Sequence, residues 1–183
     1  PLTGIYITLP PIIQFILTIT WIFGVTTVIN WSDGMDGLAG SLSFISTLTF
    51  AATAVILNQP PSLYFSLILA GTILGFLVYN KYPAKIFMGD SGSMFLGYII
   101  AVVALLGFKN VTLTTLLAPI CLLAIPVMDT FFAIVRRVVN KKPIGEPDKQ
   151  HLHHQLLKLN LSHRDTVLVI YGIDILFALA MLI

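Results

Sequence analysis

The sequence predicts an all-α, polytopic integral membrane protein with about six transmembrane helices. Of its 183 residues, 57% are hydrophobic and only 10% are charged, whereas soluble domains usually carry about 25% charged residues. The mean hydropathy is +0.94, and the apolar residues form long stretches rather than the short alternating runs typical of a membrane β-barrel. These observations favour helices that cross a bilayer.

Six stretches are long enough, or nearly so, to cross a membrane. A transmembrane helix needs about 20 mostly apolar residues to cross about 30 Å of hydrocarbon. Because backbone polar groups inside lipid must be paired within the segment, each stretch is predicted to be a helix. The stretches are residues 11–29, 38–57, 63–79, 94–108, 113–135 and 167–183.

The connections between these stretches are of two kinds. Residues 58–62 and 109–112 are short turns, whereas 30–37, 80–93 and 136–165 are rich in polar and charged residues. Threading the helices alternately across a bilayer places the three polar connections on one side, which the positive-inside rule makes cytoplasmic. Nine of the ten Lys and Arg residues lie on that side: Lys81, Lys85, Arg136, Arg137, Lys141, Lys142, Lys149, Lys158 and Arg164.

The first polar connection carries carboxylates and an amide among glycines. Asn30, Asp33 and Asp36 lie where the first helix meets the cytoplasmic interface, and Asn30 and Asp33 share one face if the helix continues. Oxygen ligands of this kind suit Mg²⁺, which takes one or two carboxylates together with substrate phosphates. The alternative is a glycine-rich turn capped by aspartate, since Asp-Gly is a common turn pair.

The second polar connection contains an aromatic residue, Phe87, and the single acid Asp90. Ser91 and Ser93 are predicted to cap the helix that begins near Met94, and a helix N-terminus attracts anions. The ring of Phe87 could stack on a nucleobase. The alternative is a capped helix start beside an aromatic residue of the membrane interface.

The third polar connection concentrates histidines and cations. His151, His153 and His154 are clustered, and the surrounding basic residues could hold a pyrophosphate. One alternative is a solvated basic loop that follows the positive-inside rule. A zinc site is disfavoured because no cysteine ligands surround the histidines. The basic residues are Arg136, Arg137, Lys141, Lys142 and Lys149.

Two acids fall inside predicted membrane segments, where ionisable residues are functional candidates. Asp129, near the cytoplasmic end of the fifth segment, is predicted to line the same cavity or to pair with a nearby cation. Asp174, in the middle of the sixth segment, is expected to face a partner chain or a part of the protein outside this sequence.

The topology places the three polar motifs on one side of the membrane, although it was derived without them. Together they would provide a carboxylate–amide Mg²⁺ site, an aromatic and anion site, and a site rich in histidine and basic residues. This mixture suits phosphoryl transfer, in which positioning and charge neutralisation supply most of the catalysis.

The same segments resemble the polyprenyl-phosphate N-acetylhexosamine-1-phosphate transferase superfamily. Residues 30–39 (Asn-x-x-Asp-Gly-x-Asp-Gly-Leu-Ala), 87–93 (Phe-Met-Gly-Asp-Ser-Gly-Ser) and 151–154 (His-Leu-His-His) occur in the family's order. The His-x-His-His form, preceded by Asp148, is similar to the bacterial undecaprenyl-phosphate GlcNAc-1-phosphate transferase branch, in glycosyltransferase family 4. The phospho-MurNAc-pentapeptide translocase branch usually has three consecutive histidines there.

The resemblance implies a role for each matching residue. Asn30 and Asp90 would be ligands of Mg²⁺, or of Mn²⁺ in its place. Asp36 would recognise the uracil of a UDP-sugar, and Phe87 would stack on it. Arg137 and Lys149 would be further substrate contacts, with Arg137 on a phosphate. The implied catalytic residues are Asp33, Asp90, His151, His153 and His154.

The resemblance also implies a reaction and its location. N-acetylhexosamine-1-phosphate, with GlcNAc-1-phosphate as the main expectation, would pass from a UDP-sugar to undecaprenyl phosphate, and UMP would leave. This would be the first membrane step of a cell-wall glycan such as teichoic acid or the O-antigen of lipopolysaccharide. The expected setting is the bacterial inner membrane, with a cytoplasmic active site, no nucleic acid partner, and often a homodimer.

Family members typically have about ten or eleven transmembrane helices and an Asp-Asp motif on an earlier loop, and this chain has no adjacent Asp pair. Residues 1–183 are therefore interpreted as the C-terminal part of a single transmembrane transferase domain, inactive alone. The alternatives are the phospho-MurNAc-pentapeptide translocase of peptidoglycan synthesis, a secondary transporter that uses Asp129 and Asp174, and a non-catalytic membrane scaffold.

Overall fold

The computed structural model describes residues 10–108, 123–143 and 151–182. These residues form helices and their connections, and no strand occurs in these ranges. The prediction of an all-α membrane protein is confirmed. The helices are numbered α1 to α7 in chain order.

The first four helices coincide with the first four predicted transmembrane segments. Proline starts α1 and α3, where its missing N–H group costs no intrahelical hydrogen bond. All four helices are long and apolar enough to cross a membrane, with α4 counted over Gly89–Gly107. They are α1 (Pro11–Ser32), α2 (Leu38–Ile56), α3 (Pro60–Asn80) and α4 (Gly89–Phe108).

Three further helices are described: α5 (Ala124–Val139), α6 (Leu152–Lys158) and α7 (His163–Leu182). The predicted fifth segment ends within α5, and its beginning lies outside the described residues. The predicted sixth segment corresponds to α7. The long third connection contains helix as well as loop, because α5 continues into it and α6 forms within it. Six membrane crossings remain a prediction for the whole chain.

The helices α1 and α4 pack antiparallel, as do α2 and α3. The α1–α4 contact is close because a Cβ atom on Gly97 would lie 2.8 Å from the Cα atom of Thr26. Trp21 on α1 donates a hydrogen bond from Nε1 to the Ala101 carbonyl oxygen on α4 at 3.1 Å. A buried apolar cluster fills the space among these helices, with Ile29, Phe50, Ile100 and Leu123 among its members.

A second apolar cluster holds α5 and α7 against the beginning of α2. Leu152 and Leu156 of α6 pack on this cluster. It therefore places α6, which carries two of the clustered histidines, beside the turn between α1 and α2. The buried members are Met35, Leu38, Leu42, Ile125, Val167 and Ile170.

The outer faces of α1, α3 and α7 expose many large apolar side chains, as expected for surfaces that contact lipid or other transmembrane helices. Asp174 does not share this outward orientation. Its side chain is 1% exposed, and its carboxylate oxygens have no hydrogen-bond partner within the described part of the chain. This burial contradicts the expectation that Asp174 faces a partner chain or a part of the protein outside this sequence. The same face of α7 carries Tyr171, which is turned toward α2.

The first two polar connections are shorter than predicted. Helix α1 continues to Ser32, so Asn30 lies in its last turn, and α4 begins at Gly89, so Asp90 lies in its first turn. A carboxylate is favoured there by the positive end of the helix dipole. The predicted capping role of Ser93 is wrong, because its hydroxyl lies within the helix and donates to the Gly89 carbonyl oxygen at 2.9 Å.

Candidate active site

The ends of α1 and α4 meet through the side chain of Asn30. Its Nδ2 donates hydrogen bonds to Asp90 Oδ1 at 3.3 Å and to Ser93 Oγ at 2.8 Å. The antiparallel packing of the two helices brings the last turn of α1 next to the first turn of α4. The first and second motifs are therefore in direct contact.

Asp33 ends α1, and its backbone N–H donates to the Asn30 carbonyl oxygen at 3.2 Å. Burial raises the pKa of its carboxyl group, the neighbouring Asp90 carboxylate raises it further, and a hydrogen bond with the Gly89 backbone opposes both effects. Asp33 and Asp90 are thus close enough to repel each other. A cation between them would relieve this repulsion.

This arrangement fits a magnesium ion that is also bound by a substrate phosphate. Within the described residues, His, Cys, Asp and Glu side chains form no group of three or more that could hold a metal ion. A metal site here would therefore combine only two carboxylates with an amide. Asp33 and Asp90 would supply carboxylates and Asn30 its amide oxygen, leaving the other positions to water and phosphate. Mg²⁺ is usually bound in this way, by one or two carboxylates plus waters and substrate phosphates.

The loop between α3 and α4 is attached to the turn before α2. Asp36 Oδ2 accepts a hydrogen bond from the Ala84 backbone N–H at 3.0 Å. The buried Asn80 accepts from the Gly37 N–H through Oδ1 at 3.1 Å and donates from Nδ2 to the Ile86 carbonyl oxygen at 2.9 Å. This bridging role of Asn80 was not predicted from the sequence, where Asn80 is simply a polar residue at the end of an apolar helix.

Gly37 gives this turn its left-handed backbone conformation and packs against the end of α3. Its φ angle is +74°, and a Cβ atom there would lie 3.4 Å from the Cα atom of Lys81. Tyr171 of α7 donates a hydrogen bond to the Gly37 carbonyl oxygen at 3.0 Å. Only glycine adopts this conformation without strain, so the residue is required by the turn itself.

The third motif packs on the first. A Cβ atom on Gly34 would lie 2.8 Å from His153 Cε1, so the imidazole occupies the space that the glycine leaves free. His153 is 4% exposed. Burial, followed by the neighbouring His154, lowers the pKa of His153 to about 4, although the Asp129 carboxylate opposes this effect. The imidazole of His153 is therefore neutral at pH 7.

Asp129 on α5 contacts the beginning of α6 with both carboxylate oxygens. Its Oδ2 lies 2.9 Å from His151 Nδ1, and its Oδ1 accepts a hydrogen bond from the Leu152 backbone N–H at 2.8 Å. Asp129 also lines a small cavity together with His153 and Ser32. From the sequence, this acid was predicted to line a cavity or to pair with a nearby cation; in the structure it lines a cavity and its side-chain partner is His151.

The rings of the histidine cluster lie side by side, and Arg137 approaches the same end of the bundle. The His151 and His153 rings are parallel with centroids 5.8 Å apart, and the His153 and His154 centroids are 4.2 Å apart. The guanidinium carbon of the buried Arg137 lies 4.7 Å from the ring centroid of Trp31. Trp31 follows Asn30 directly, so this cation is next to the first motif.

Phe87 extends from the loop between α3 and α4 with 77% of its surface exposed, which leaves its ring free to accept a stacking partner. In the same loop, Tyr82 stacks on His163 with ring centroids 4.5 Å apart, a contact that the sequence analysis missed. Lys149 lies outside the described residues. The uracil roles of Phe87 and Asp36 stay predictions.

Residues 1–108 match the model of the family Glycosyl transferase family 4. A Bacillus subtilis (strain 168) protein named probable undecaprenyl-phosphate N-acetylglucosaminyl 1-phosphate transferase is 50% identical over 168 residues, which cover 91% of this chain and 47% of that protein. A Mycobacterium leprae (strain TN) decaprenyl-phosphate N-acetylglucosaminephosphotransferase is 36% identical over 193 residues, covering 93% of this chain and 48% of the relative.

A phospho-N-acetylmuramoyl-pentapeptide-transferase of Carboxydothermus hydrogenoformans is 34% identical over 175 residues, which cover 95% of this chain and 52% of that protein. The chain thus spans about half the length of the curated relatives that it matches.

Proposed function

This chain belongs to glycosyl transferase family 4, and on that basis we propose that the full-length protein transfers GlcNAc-1-phosphate from UDP-GlcNAc to undecaprenyl phosphate and releases UMP. The relative with 50% identity is named for undecaprenyl phosphate and an N-acetylglucosaminyl 1-phosphate group. The observation that carries the proposal is the meeting of Asn30, Asp33 and Asp90 at one end of the bundle.

Mg²⁺ is the cofactor proposed for this group, and Mn²⁺ has the same preference for oxygen ligands. When bound, the ion would neutralise charge on the sugar diphosphate. Asn30 and Asp90 would hold it from two different helices, and Asp33 would complete the protein's share of oxygen ligands. The mutual repulsion of Asp33 and Asp90 supports this assignment, since it disfavours the site without a cation.

The histidine cluster is assigned to positioning the diphosphate rather than to supplying several positive charges. His153 is neutral at pH 7 because its pKa is about 4, so it can only donate or accept a hydrogen bond. Positive charge must then come from the metal ion and from basic residues. Arg137 and Lys149 are the ones we propose, because arginine and lysine both bind phosphate oxygens well.

Uridine is assigned to the surface that includes Asp36 and Phe87. The hydrogen bond from Ala84 fixes the Asp36 carboxylate, and a fixed carboxylate can accept a hydrogen bond from the uracil N–H group. The exposed ring of Phe87 can stack on the base. This assignment explains why Asn80 joins the segments that carry these two residues.

The protein is proposed to act in the bacterial inner membrane as the first membrane step of a cell-wall glycan such as teichoic acid or O-antigen. A cytoplasmic active site is supported by the basic residues at the same end of the bundle. Residues 1–183 correspond to about half of each relative, so we expect this segment to be inactive alone. A homodimer is the proposed assembly.

The test is a transfer assay with the full-length protein in detergent, undecaprenyl phosphate, Mg²⁺ and radiolabelled UDP-GlcNAc. We expect label in the butanol phase, its loss with EDTA and its recovery with added Mg²⁺. Asp90→Asn should reduce the rate by on the order of 10²- to 10³-fold, the usual effect of removing a group that stabilises transition-state charge. Asp165→Asn is the matched control at the exposed start of α7, where a hydrogen bond to Ser162 at 2.6 Å can persist.

A second candidate is the transfer of phospho-MurNAc-pentapeptide, which the Carboxydothermus hydrogenoformans relative is named for. It uses the same carrier and the same site but a different sugar, so the donor distinguishes the two. Label from UDP-MurNAc-pentapeptide and none from UDP-GlcNAc would favour this candidate. A full-length protein that transferred label from neither donor nor from UDP-GalNAc would contradict both.

A further inference from the structure

Asp129 is a largely buried acid to which the proposed function gives no role. It lies on α5, outside the three motifs, and its two carboxylate oxygens contact His151 and Leu152. The side chains of His151 and Asp129 are only 10% and 17% exposed. Water therefore competes weakly for their contact, which makes the pairing stronger than a similar contact on the surface.

The contact determines which nitrogen of His151 is available to other partners. An ionised carboxylate only accepts hydrogen bonds, so Nδ1 of His151 must carry a proton to donate to Asp129 Oδ2. In a neutral imidazole, Nε2 is then the acceptor. The other oxygen of Asp129 fixes the first residue of α6 through Leu152, so one side chain sets both the place of the ring and its tautomer.

We propose that Asp129 is a positioning residue for His151: it holds the imidazole in the Nδ1–H form, so that Nε2 can accept a hydrogen bond from the P–O–H group of the undecaprenyl phosphate that attacks the diphosphate. This inference rests on the proposed function, in which the histidine cluster lies next to the diphosphate. The surroundings support it, because the His151 ring is parallel to that of His153, which packs on Gly34 beside Asp33. Asp129 acts through His151 and does not touch the substrate.

A purely structural role would need only the hydrogen bond to Leu152, which satisfies an N–H group at the start of α6. Asparagine separates the two roles because it has nearly the shape of aspartate. Its Oδ1 can still accept from the Leu152 N–H, but its Nδ2 donates, so Nδ1 of His151 must accept and the ring proton moves to Nε2. Asp129→Asn therefore keeps the helix contact and reverses the tautomer.

The experiment compares wild type, Asp129→Asn, His151→Ala and the double variant of the full-length protein in the butanol-extraction assay. We expect Asp129→Asn to lower kcat by on the order of 10²- to 10⁴-fold, the effect of a wrong tautomer in other histidine sites, with little change in KM for UDP-GlcNAc. In the His151→Ala background the same substitution should have no further effect, because both changes disable one unit. Asp165→Asn is the matched control and should keep the wild-type kcat.

An unchanged kcat in Asp129→Asn would overturn the proposal, and so would an equal loss with and without His151. Histidine ¹⁵N chemical shifts give a readout that does not depend on activity. His151 should show the Nδ1–H form in wild type and the Nε2–H form in Asp129→Asn, and an Nε2–H form in wild type would contradict the pairing. If wild type is inactive with every donor, the proposed function fails, whereas the spectra still decide whether Asp129 sets the tautomer.

Discussion

His153 fills the space above Gly34, where one added methyl group would lie 2.8 Å from the imidazole Cε1. The contact joins the turn after α1 to the short helix α6. Because His153 is buried, the ring has little room to move away. A change on either side of this contact is therefore transmitted to the other.

Gly34→Ala should displace His153 and lower transfer activity. Gly34 does not have a left-handed backbone conformation, so the effect comes from the clash alone. We expect a loss in kcat/KM of up to about 100-fold, as for displacements of about 1 Å at other active sites. Overpacking should also lower the free energy of unfolding by about 1–3 kcal/mol, which thermal unfolding would measure. Gly75→Ala is the matched control, because no atom of the described ranges lies within 4 Å of a Cβ atom there, and equal losses in both variants would contradict the prediction.

Asp33→Asn should raise thermal stability without Mg²⁺ and reduce the stabilisation that Mg²⁺ provides. The substitution removes a carboxylate whose pKa is raised by burial and by Asp90, so the metal-free protein loses an unfavourable charge. The same substitution removes a proposed ligand. Thermal unfolding of the full-length protein with EDTA and with Mg²⁺ gives both quantities. A Mg²⁺-dependent shift in Tm as large as that of wild type would count against Asp33 as a ligand, and Asp165→Asn controls for the change in net charge.

The stability of the fold should decrease as the pH is lowered from about 6.5 to about 4. His153 has a pKa of about 4 in the folded protein, below its ordinary value of 6.5. Between these values the unfolded chain binds a proton that the folded chain does not, so acid favours unfolding. Above pH 6.5 this contribution is complete and constant. His153→Gln should flatten the curve of Tm against pH in this window, and an equally steep curve in the variant would assign the effect to other groups.

Asn80→Ala should weaken UDP binding more than it weakens metal binding. The substitution leaves the Gly37 N–H and the Ile86 carbonyl oxygen without their partner, and the loss costs about 1–3 kcal/mol for the buried Gly37 N–H. The loop that carries Phe87 then keeps its hydrogen bond from Ala84 to Asp36 but loses both contacts through Asn80, whereas Asn30 and Asp90 stay hydrogen-bonded to each other. The measurement is the KM for UDP-GlcNAc beside the Mg²⁺ dependence of the rate. Asn140→Ala is the control, because within the described residues its exposed side chain bonds to the Arg136 carbonyl oxygen one turn earlier, and an effect of the same size there would contradict the prediction.

The first two motifs could be predicted from the sequence to lie at the same end of the bundle. This is because topology follows from hydropathy and from the distribution of basic residues, which can both be read directly along the chain. Alternating crossings place Asn30 and Asp90 at the same end of the bundle whatever their side chains do. The exact helix ends were harder to predict. Gly89 and Asp90 have the composition of a loop, yet the first turn of α4 includes them, since a carboxylate is favourable at a helix N-terminus.

The contacts that tie the site together could not be predicted, because they depend on how helices pack. The partner of Asp129 is distant in sequence and is reached only when α5 and α6 lie side by side. Asn80 gave a similarly weak signal, since one amide at a helix end has many possible partners. Asp174 was assigned the wrong direction because a single acid in an apolar helix does not reveal which face of that helix is buried.

The spacing between Asn30 and Asp90 depends on a helix contact that lies deeper in the bundle. Gly97 lies two helical turns beyond Asp90, about 10 Å along α4, and there the backbones of α1 and α4 touch with no intervening side chain. The close contact between Gly97 and Thr26 sets the separation of the two helices, and this separation sets the distance between Asn30 and Asp90. A bulkier residue at position 97 would push the two helices apart and so move Asn30 away from Asp90, although it would change neither of these residues. We therefore expect a substitution at Gly97 to change the preference of the proposed site for the small Mg²⁺ over the larger Ca²⁺, which prefers longer bonds and more ligands.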